Sequence, residues 1–197
     1  MRRIVVVENL TLDGVVQAPG APEEDTRGGF THGGWARPYG DEVMAAEMRK
    51  GMGTSELLFG RWTYESFFSY WPHAPQPNPF TDYLDATSKY VVSTTLSAPL
   101  PWQNSTLLTG DAMAAVAKLK ERPGKDLTVL GSAELVRSLL SHGLVDELVL
   151  SIHPLALGAG RRLFPGGGVP TRLGLVQSVT TTTGVVIATY RPVDGAV

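Results

Sequence analysis

The sequence predicts an α/β protein with a mostly parallel central sheet, helices on both faces and an antiparallel hairpin at its C-terminal end. Three patterns carry this expectation. Short β-branched runs alternate with stretches of helical periodicity along most of the 197 residues, the arrangement of βαβ units. Two of the runs, residues 56–59 and 126–130, meet a glycine and pass straight into a helix. The last two, residues 173–182 and 185–190, are separated only by Thr183-Gly184, which is hairpin spacing.

Composition sets the outer bounds. The length suits one domain over 1–197 with a sizeable core, and 43% apolar content is ordinary for a globular chain. A net charge of −2 gives no global field toward nucleic acid or anionic lipid, so neither is expected as a partner. There is no cysteine, which excludes disulfides and thiolate metal sites. The apolar run at residues 4–7 stops at Glu8-Asn9. That is too short for a signal-peptide core or a membrane span, so a cytoplasmic protein is expected.

In chain order, residues 3–8 read as the first, central strand, and Asp13-Gly14 as a turn. Residues 17–34 lack apolar periodicity and read as a long loop, of the kind that forms lids. His32 within it has no second histidine at ligand spacing, so no metal site is expected. Residues 38–52 read as a helix opened by Pro38 and closed by Gly51 and Gly53. Met44, Met48 and Met52 form an i, i+4, i+8 stripe expected to face the core, and Asp41 shares that face. From the residues alone, Asp41 reads as a helix cap or a first-turn carboxylate.

Residues 56–66 are the most informative stretch. A buried strand breaks at Gly60, and a helix begins at Trp62. The free N–H groups of a first helical turn, with the helix dipole, make an anion site. Arg61 adds a forked cation there and Thr63 a hydroxyl; an ordinary turn with a surface arginine is the alternative. The aromatics Phe67, Phe68, Tyr70 and Trp71 suit a core, a rim or a flat ring-shaped site. A strand at 89–94 ends in the hydroxyls of Ser93 and Thr94, and another follows at 106–109. Asp111 then caps a helix running to about Arg122. Residues 126–135 repeat the strand–glycine–helix pattern at Gly131-Ser132. Leu135, Val136, Leu139 and Leu140 give that helix an apolar face, Gly143 closes it, and a strand follows at 145–152.

The run Gly60-Arg61-Trp62-Thr63-Tyr64-Glu65-Ser66 after an apolar strand resembles the dihydrofolate reductase superfamily. It is most similar to the branch that holds the reductase domain of riboflavin biosynthesis and many stand-alone reductases. Leu10-Thr11-Leu12-Asp13-Gly14, Gly143-Leu144-Val145-Asp146-Glu147-Leu148 and Pro154-Leu155-Ala156-Leu157-Gly158-Ala159-Gly160 resemble that branch too, in the same chain order. The resemblance implies a dihydrofolate reductase-like fold over nearly the whole chain, and NADPH as cofactor. It places Gly60, Arg61, Thr63, Ser93 and Thr94 around the adenosine half. The turn and first helical residues Gly131, Ser132, Ala133, Glu134 and Leu135 would meet the pyrophosphate. It makes Asp41 the nearest match to the carboxylate that grips and helps protonate the substrate. The loop after the first strand would cover the nicotinamide, and a homodimer is implied, with Val149, Leu150, Ile152, Leu155 and Leu157 as the apolar residues near one strand and its exit loop.

Two departures from the family pattern stand out, and the second narrows the substrate. Ser132 stands where the family has a second glycine, a costly choice if φ is positive there. No arginine lies between Arg61 and Arg122 to pair a folate carboxylate, and Lys89 lacks the bidentate fork. The expected activity is hydride transfer from NADPH to a small heterocyclic or carbonyl-type substrate. Arg161 and Arg162 stand ready for an anionic group, or serve as surface charges. A nucleotide-binding module of the same fold without turnover is the alternative.

Overall fold

The structure is a computed structural model and describes residues 1–166, 168 and 170–193. Among them the chain forms a sheet of eight strands: β1 (Ile4–Thr11), β2 (Ser55–Gly60), β3 (Lys89–Val92), β4 (Ser105–Leu108), β5 (Asp126–Leu130), β6 (Glu147–His153), β7 (Leu173–Thr180) and β8 (Val186–Pro192). Their order across the sheet is β4-β3-β2-β5-β1-β6-β8-β7. The first six are mutually parallel. The last two form the antiparallel hairpin, and β8 pairs antiparallel with β6. This is the architecture expected from the alternation of runs.

Five α-helices join the described strands: α1 (Glu42–Gly51), α2 (Arg61–Tyr70), α3 (Pro79–Ala86), α4 (Ala112–Glu121) and α5 (Ala133–Ser141). Alternate residues of the strands point to opposite faces. Ile4, Val6, Leu10, Leu148 and Leu150 meet Val116 and Leu119 of α4 and Leu135, Val136 and Leu139 of α5 in the main core. On the other face Leu57, Phe59 and Val91 pack with Tyr64, Leu84 and Trp102, flanked by Phe67, Phe68 and Trp71. The aromatic run therefore packs as core and rim. Helix α5 ends as expected: Gly143 is left-handed (φ 64°), and the N–H groups of Gly143 and Leu144 bond back to Leu140 and Leu139.

Several expectations are corrected, the first strand among them, which runs on to Thr11. The helix read from Pro38 begins only at Glu42, after a separate 3₁₀ turn at Arg37–Tyr39, because Asp41 takes the N–H of Met44 and sets the N-terminus there. Its methionine stripe is not core: no residue of α1 is buried, and Met48 is 57% exposed. The strand at 89–94 stops at Val92, because the Ser93 hydroxyl accepts the N–H groups of Thr95 and Leu96 and turns the chain away. Helix α2 starts at Arg61 rather than Trp62. The long loop at 17–34 carries only a 3₁₀ turn at Arg27–Gly29, yet it is packed. Val15, Ala18, Phe30 and Trp35 make a small core, and the Trp35 indole donates to the Gln17 carbonyl at 2.7 Å. Among the described residues no helix is long and apolar enough to cross a membrane.

Candidate cofactor and active site

In a parallel sheet the carboxyl ends of the strands face one crevice, where ligands bind. Here β3, β2 and β5 are consecutive, so Ser93, Gly60 and Gly131 stand side by side along that crest. Strands lie about 4.8 Å apart, and β1 adds one more step, so the crest from β3 to β1 spans about 14 Å. That is enough for the phosphate-bearing portion of a dinucleotide laid across the strand ends.

The helix N-termini separate into two groups. Asp41, Asn78 and Asp111 cap α1, α3 and α4 with side-chain oxygens. Helices α2 and α5, the two that rise from the crest, have no side-chain cap. Their first-turn N–H groups, on Arg61 to Thr63 and Ala133 to Leu135, are the donors left for a ligand. Gly131 and Ser132 are both left-handed (φ 69° and 68°), which folds the backbone into a concavity of the kind that binds anions.

Ser132 is the junction of the two turns. Its Oγ accepts the N–H of Gly60 at 3.1 Å and pairs with the Thr63 hydroxyl at 2.6 Å. A Cβ at position 60 would lie 2.9 Å from that oxygen, so glycine is required there by the closeness of Ser132. The serine that departs from the family pattern thus keeps the positive φ and offsets its strain with bonds across the crest.

The other candidates fall as follows. Arg61 is exposed on the first turn of α2 and pairs with Glu65 at 3.1 Å, an exposed i,i+4 contact that a stronger anion can displace. Thr94 is exposed beside the buried Ser93. Glu134 is exposed and pairs with Arg161 at 3.2 Å. The Leu135 side chain is in the core, so only its N–H is open to the crevice. Asp41 has both oxygens engaged and stands at the β7–β8 turn, beside the carboxyl end of β6, the strand next to β1. Oδ1 takes the N–H of Met44, and Oδ2 takes the N–H and hydroxyl of Thr182 in the β7–β8 turn. Those bonds, Met44's first, hold its carboxyl below the usual range. Lys89 is buried, with Nζ donating to the carbonyls of Leu84 and Thr87, and burial lowers it to about 8.

Several residues near the site were not assigned to it from sequence. Val7, Asn9, Val149 and Ser151 lie on the two central strands yet are only half buried, on the face opposite α4 and α5. They mark an open face beside the crest. Glu8, on the buried face, has an Oε1 with no partner. Burial first, and then the charge of Glu24, push its carboxyl up to about 8. Asp13 binds the N–H groups of Leu157 and Gly158 and the Arg162 guanidinium, fixing the 154–160 loop against the end of β1. The Thr11 hydroxyl and then those N–H groups hold it well below the usual carboxylate range. A charged residue inside an apolar strand run was the available signal for Glu8; Asn9 gave no comparable one. Among the described residues no group of His, Cys, Asp or Glu is placed to hold a metal ion.

A family model described as the RibD C-terminal domain matches residues 2–187. The uncharacterised Bacillus subtilis (strain 168) protein YyaP is 33% identical over 138 residues, covering 68% of this chain and 72% of that one. YwjB of the same strain is 31% identical over 110 residues, 55% and 57% of the two chains. Among solved structures, a Shewanella sp. PV-4 protein provisionally named for riboflavin biosynthesis gives a TM-score of 0.70 at 21% identity, over 98% of this chain and 99% of that one. A pyrimidine reductase-like protein from Corynebacterium diphtheriae gives 0.65 at 15% identity, over 98% and 93%. Acinetobacter baumannii RibD gives 0.64 at 12%, over 98% of this chain and 58% of its own length. At such identities the structural likeness bears on the fold, which is the one the strand order describes.

Proposed function

The chain belongs to the RibD C-terminal domain family, and we propose that it is an NADPH-dependent reductase of a small heterocyclic or carbonyl-type substrate. One observation carries this reading. The two helices that rise from neighbouring strand ends are the two without side-chain caps, and Ser132 ties their turns into one anion-receiving surface. The donor set fits a dinucleotide phosphate: main-chain N–H groups at two helix starts, one guanidinium and two hydroxyls.

The nicotinamide, when bound, supplies the hydride. The residues of the chain bind and orient. The turns at Gly60 and Gly131-Ser132 would hold the diphosphate. Arg61, released from Glu65, would pair with the 2′-phosphate beside Ser93 and Thr94. The half-buried face of Val7, Asn9, Val149 and Ser151 offers the substrate a surface with apolar and hydrogen-bonding parts. Dihydrofolate should turn over poorly, since the Lys89 ammonium is buried against carbonyls and no arginine replaces it.

Calorimetric titration with NADPH and NADH tests the reading, followed by NADPH oxidation against pyrimidines, pterins and dicarbonyls. Hydrogen bonds to charged groups contribute roughly 1.5–3 kcal/mol. Arg61→Ala should therefore weaken NADPH about tenfold to a hundredfold and leave NADH nearly unchanged. Equal loss for both cofactors would move Arg61 off the 2′-phosphate. Binding without oxidation of any substrate would make the chain a binding module. No binding of either cofactor to the wild-type protein would end the reductase reading.

A further inference from the structure

The loop after β1 does not stop at its own strand. Its root is pinned by the buried Gln17, whose amide donates to the carbonyls of Asp25 and Arg27 and whose oxygen accepts the N–H of Arg161 at 3.0 Å. Its tip reaches across the sheet. The Arg27 guanidinium lies 3.7 Å from the ring centroid of Trp62, the second residue of α2. Helix α2 follows β2, the loop follows β1, and β5 lies between them. The Arg27–Trp62 stack therefore passes over the end of β5, where Gly131 and Ser132 make the concavity. Thr63, next to Trp62, is the residue bonded to Ser132.

Asp25 holds Arg27 for this position. It accepts Nε at 2.7 Å and also binds Nη2, while its own side chain is nearly buried. Nη1 has no hydrogen-bond partner among the described residues, and the guanidinium is about one-third exposed. Trp62 stays 39% exposed even with the guanidinium over its ring. A guanidinium can stack by its face and donate by its edge at once.

We propose that Arg27 and Trp62 form a latch over the diphosphate of the bound dinucleotide. The free edge of Arg27 donates to the diphosphate while its face stays on the indole, and the stack must open for the cofactor to enter or leave. Arg27 is then a cofactor-contacting residue, and Trp62 and Asp25 are positioning residues. The inference rests on the dinucleotide reading above and adds to it a second cation with a different signature. Arg61 distinguishes NADPH from NADH, whereas the diphosphate is common to both.

The test is stopped-flow and equilibrium binding of NADPH and NADH to wild type, Arg27→Ala, Trp62→Ala, Trp62→Phe and the Arg27→Ala/Trp62→Ala double variant. The two alanine variants should each weaken both cofactors by a similar factor, about tenfold, mainly through faster dissociation. Trp62→Phe, which keeps an aromatic face, should retain most of the affinity. The double variant should lose little more than either single one, because the two act as a unit. Tryptic digestion of the cofactor-free protein adds a readout independent of binding. Trp62→Ala should speed cleavage of the Arg27–Gly28 bond, which the stack holds down. Wild-type dissociation rates in both alanine variants, a loss confined to NADPH, or unchanged cleavage would overturn the latch and leave the reductase reading standing. Failure of the wild-type protein to bind either cofactor would overturn both.

Discussion

Ser132 pays a conformational cost and recovers it across the crest. A left-handed non-glycine residue costs roughly 1–2 kcal/mol, and two hydrogen bonds contribute about 0.5–1.5 kcal/mol each, so the sum is close to balance. The position is thus tolerable only while Gly60 lets Ser132 approach. Gly60→Ala would drive a methyl to 2.9 Å from Oγ, and overpacking of this kind costs about 1–3 kcal/mol. Ser132→Gly should relieve that clash, so the double variant should be more stable than Gly60→Ala alone in chemical denaturation; strictly additive losses would refute the coupling. Asp41 offers a second contrast. Asn keeps one acceptor oxygen and so keeps either Met44 or Thr182, while Ala loses both. Asp41→Asn should melt between wild type and Asp41→Ala with turnover retained, and lost turnover at unchanged melting temperature would restore the carboxylate to the chemistry. The strain at Ser132 was legible only through the resemblance, which puts a glycine at that position. The compensation was not, because its partner Gly60 lies 72 residues away. The bonds of Asp41 show the same division: the cap is local, and the clasp to Thr182 spans 141 residues.

Strand β1 shows why element boundaries escape a pattern of apolar residues. Glu8 looks like the end of the run, yet the strand continues to Thr11, which pairs with His153 of β6. Glu8 sits between Val6 and Leu10 on the α5 face and is held neutral by burial, with the Glu24 charge acting in the same direction. The folded protein keeps this proton, while the unfolded chain releases it above its ordinary value near 4.5. The resulting stability is fully present below that pH, falls as pH rises, and is gone above about 8. The slope from this group is at most about 1.4 kcal/mol per pH unit. Denaturation at pH 5 and pH 8 should show the fall, and Glu8→Gln should flatten it; an equal slope in the variant would locate the titration elsewhere. Helix α1 makes the opposite point. Its methionine spacing is regular, but amphipathic spacing does not say whether a face is covered. Met48→Lys should shift stability by no more than about 0.5 kcal/mol, whereas Leu139→Ala in the main core should cost about 2–5 kcal/mol.

Much of the order of elements along the chain was legible, because three strand-to-helix junctions carry their own punctuation in Gly60, Asp111 and Gly131 and Gly143 closes α5, but helix α3 after the proline-rich bend was not read. Sheet order was not legible: β5 enters between β1 and β2, and only that insertion brings Gly131-Ser132 beside Gly60. Assembly is a further property of the whole molecule that single elements do not reveal. Leu150 belongs to the main core and Ile152 packs against it, while Leu155 and Leu157 pack on the small core beside Trp35. These residues are engaged within the chain. Two adjacent exposed apolar side chains lie at the sheet's edge, on β7, where Leu175 is 58% and Val176 49% exposed. An edge strand with open N–H and C=O groups is a template for pairing, and a two-fold axis sets the same patch against itself. We propose that the protein is a two-fold dimer joined through β7. Light scattering at micromolar concentration should give twice the 21.1 kDa chain mass. Leu175→Lys with Val176→Lys should give the monomer with cofactor affinity intact, because the crest lies across β3, β2 and β5, at the other side of the sheet. A dimer that survives both lysines would place the interface on another surface, and a monomeric wild-type protein would remove it altogether.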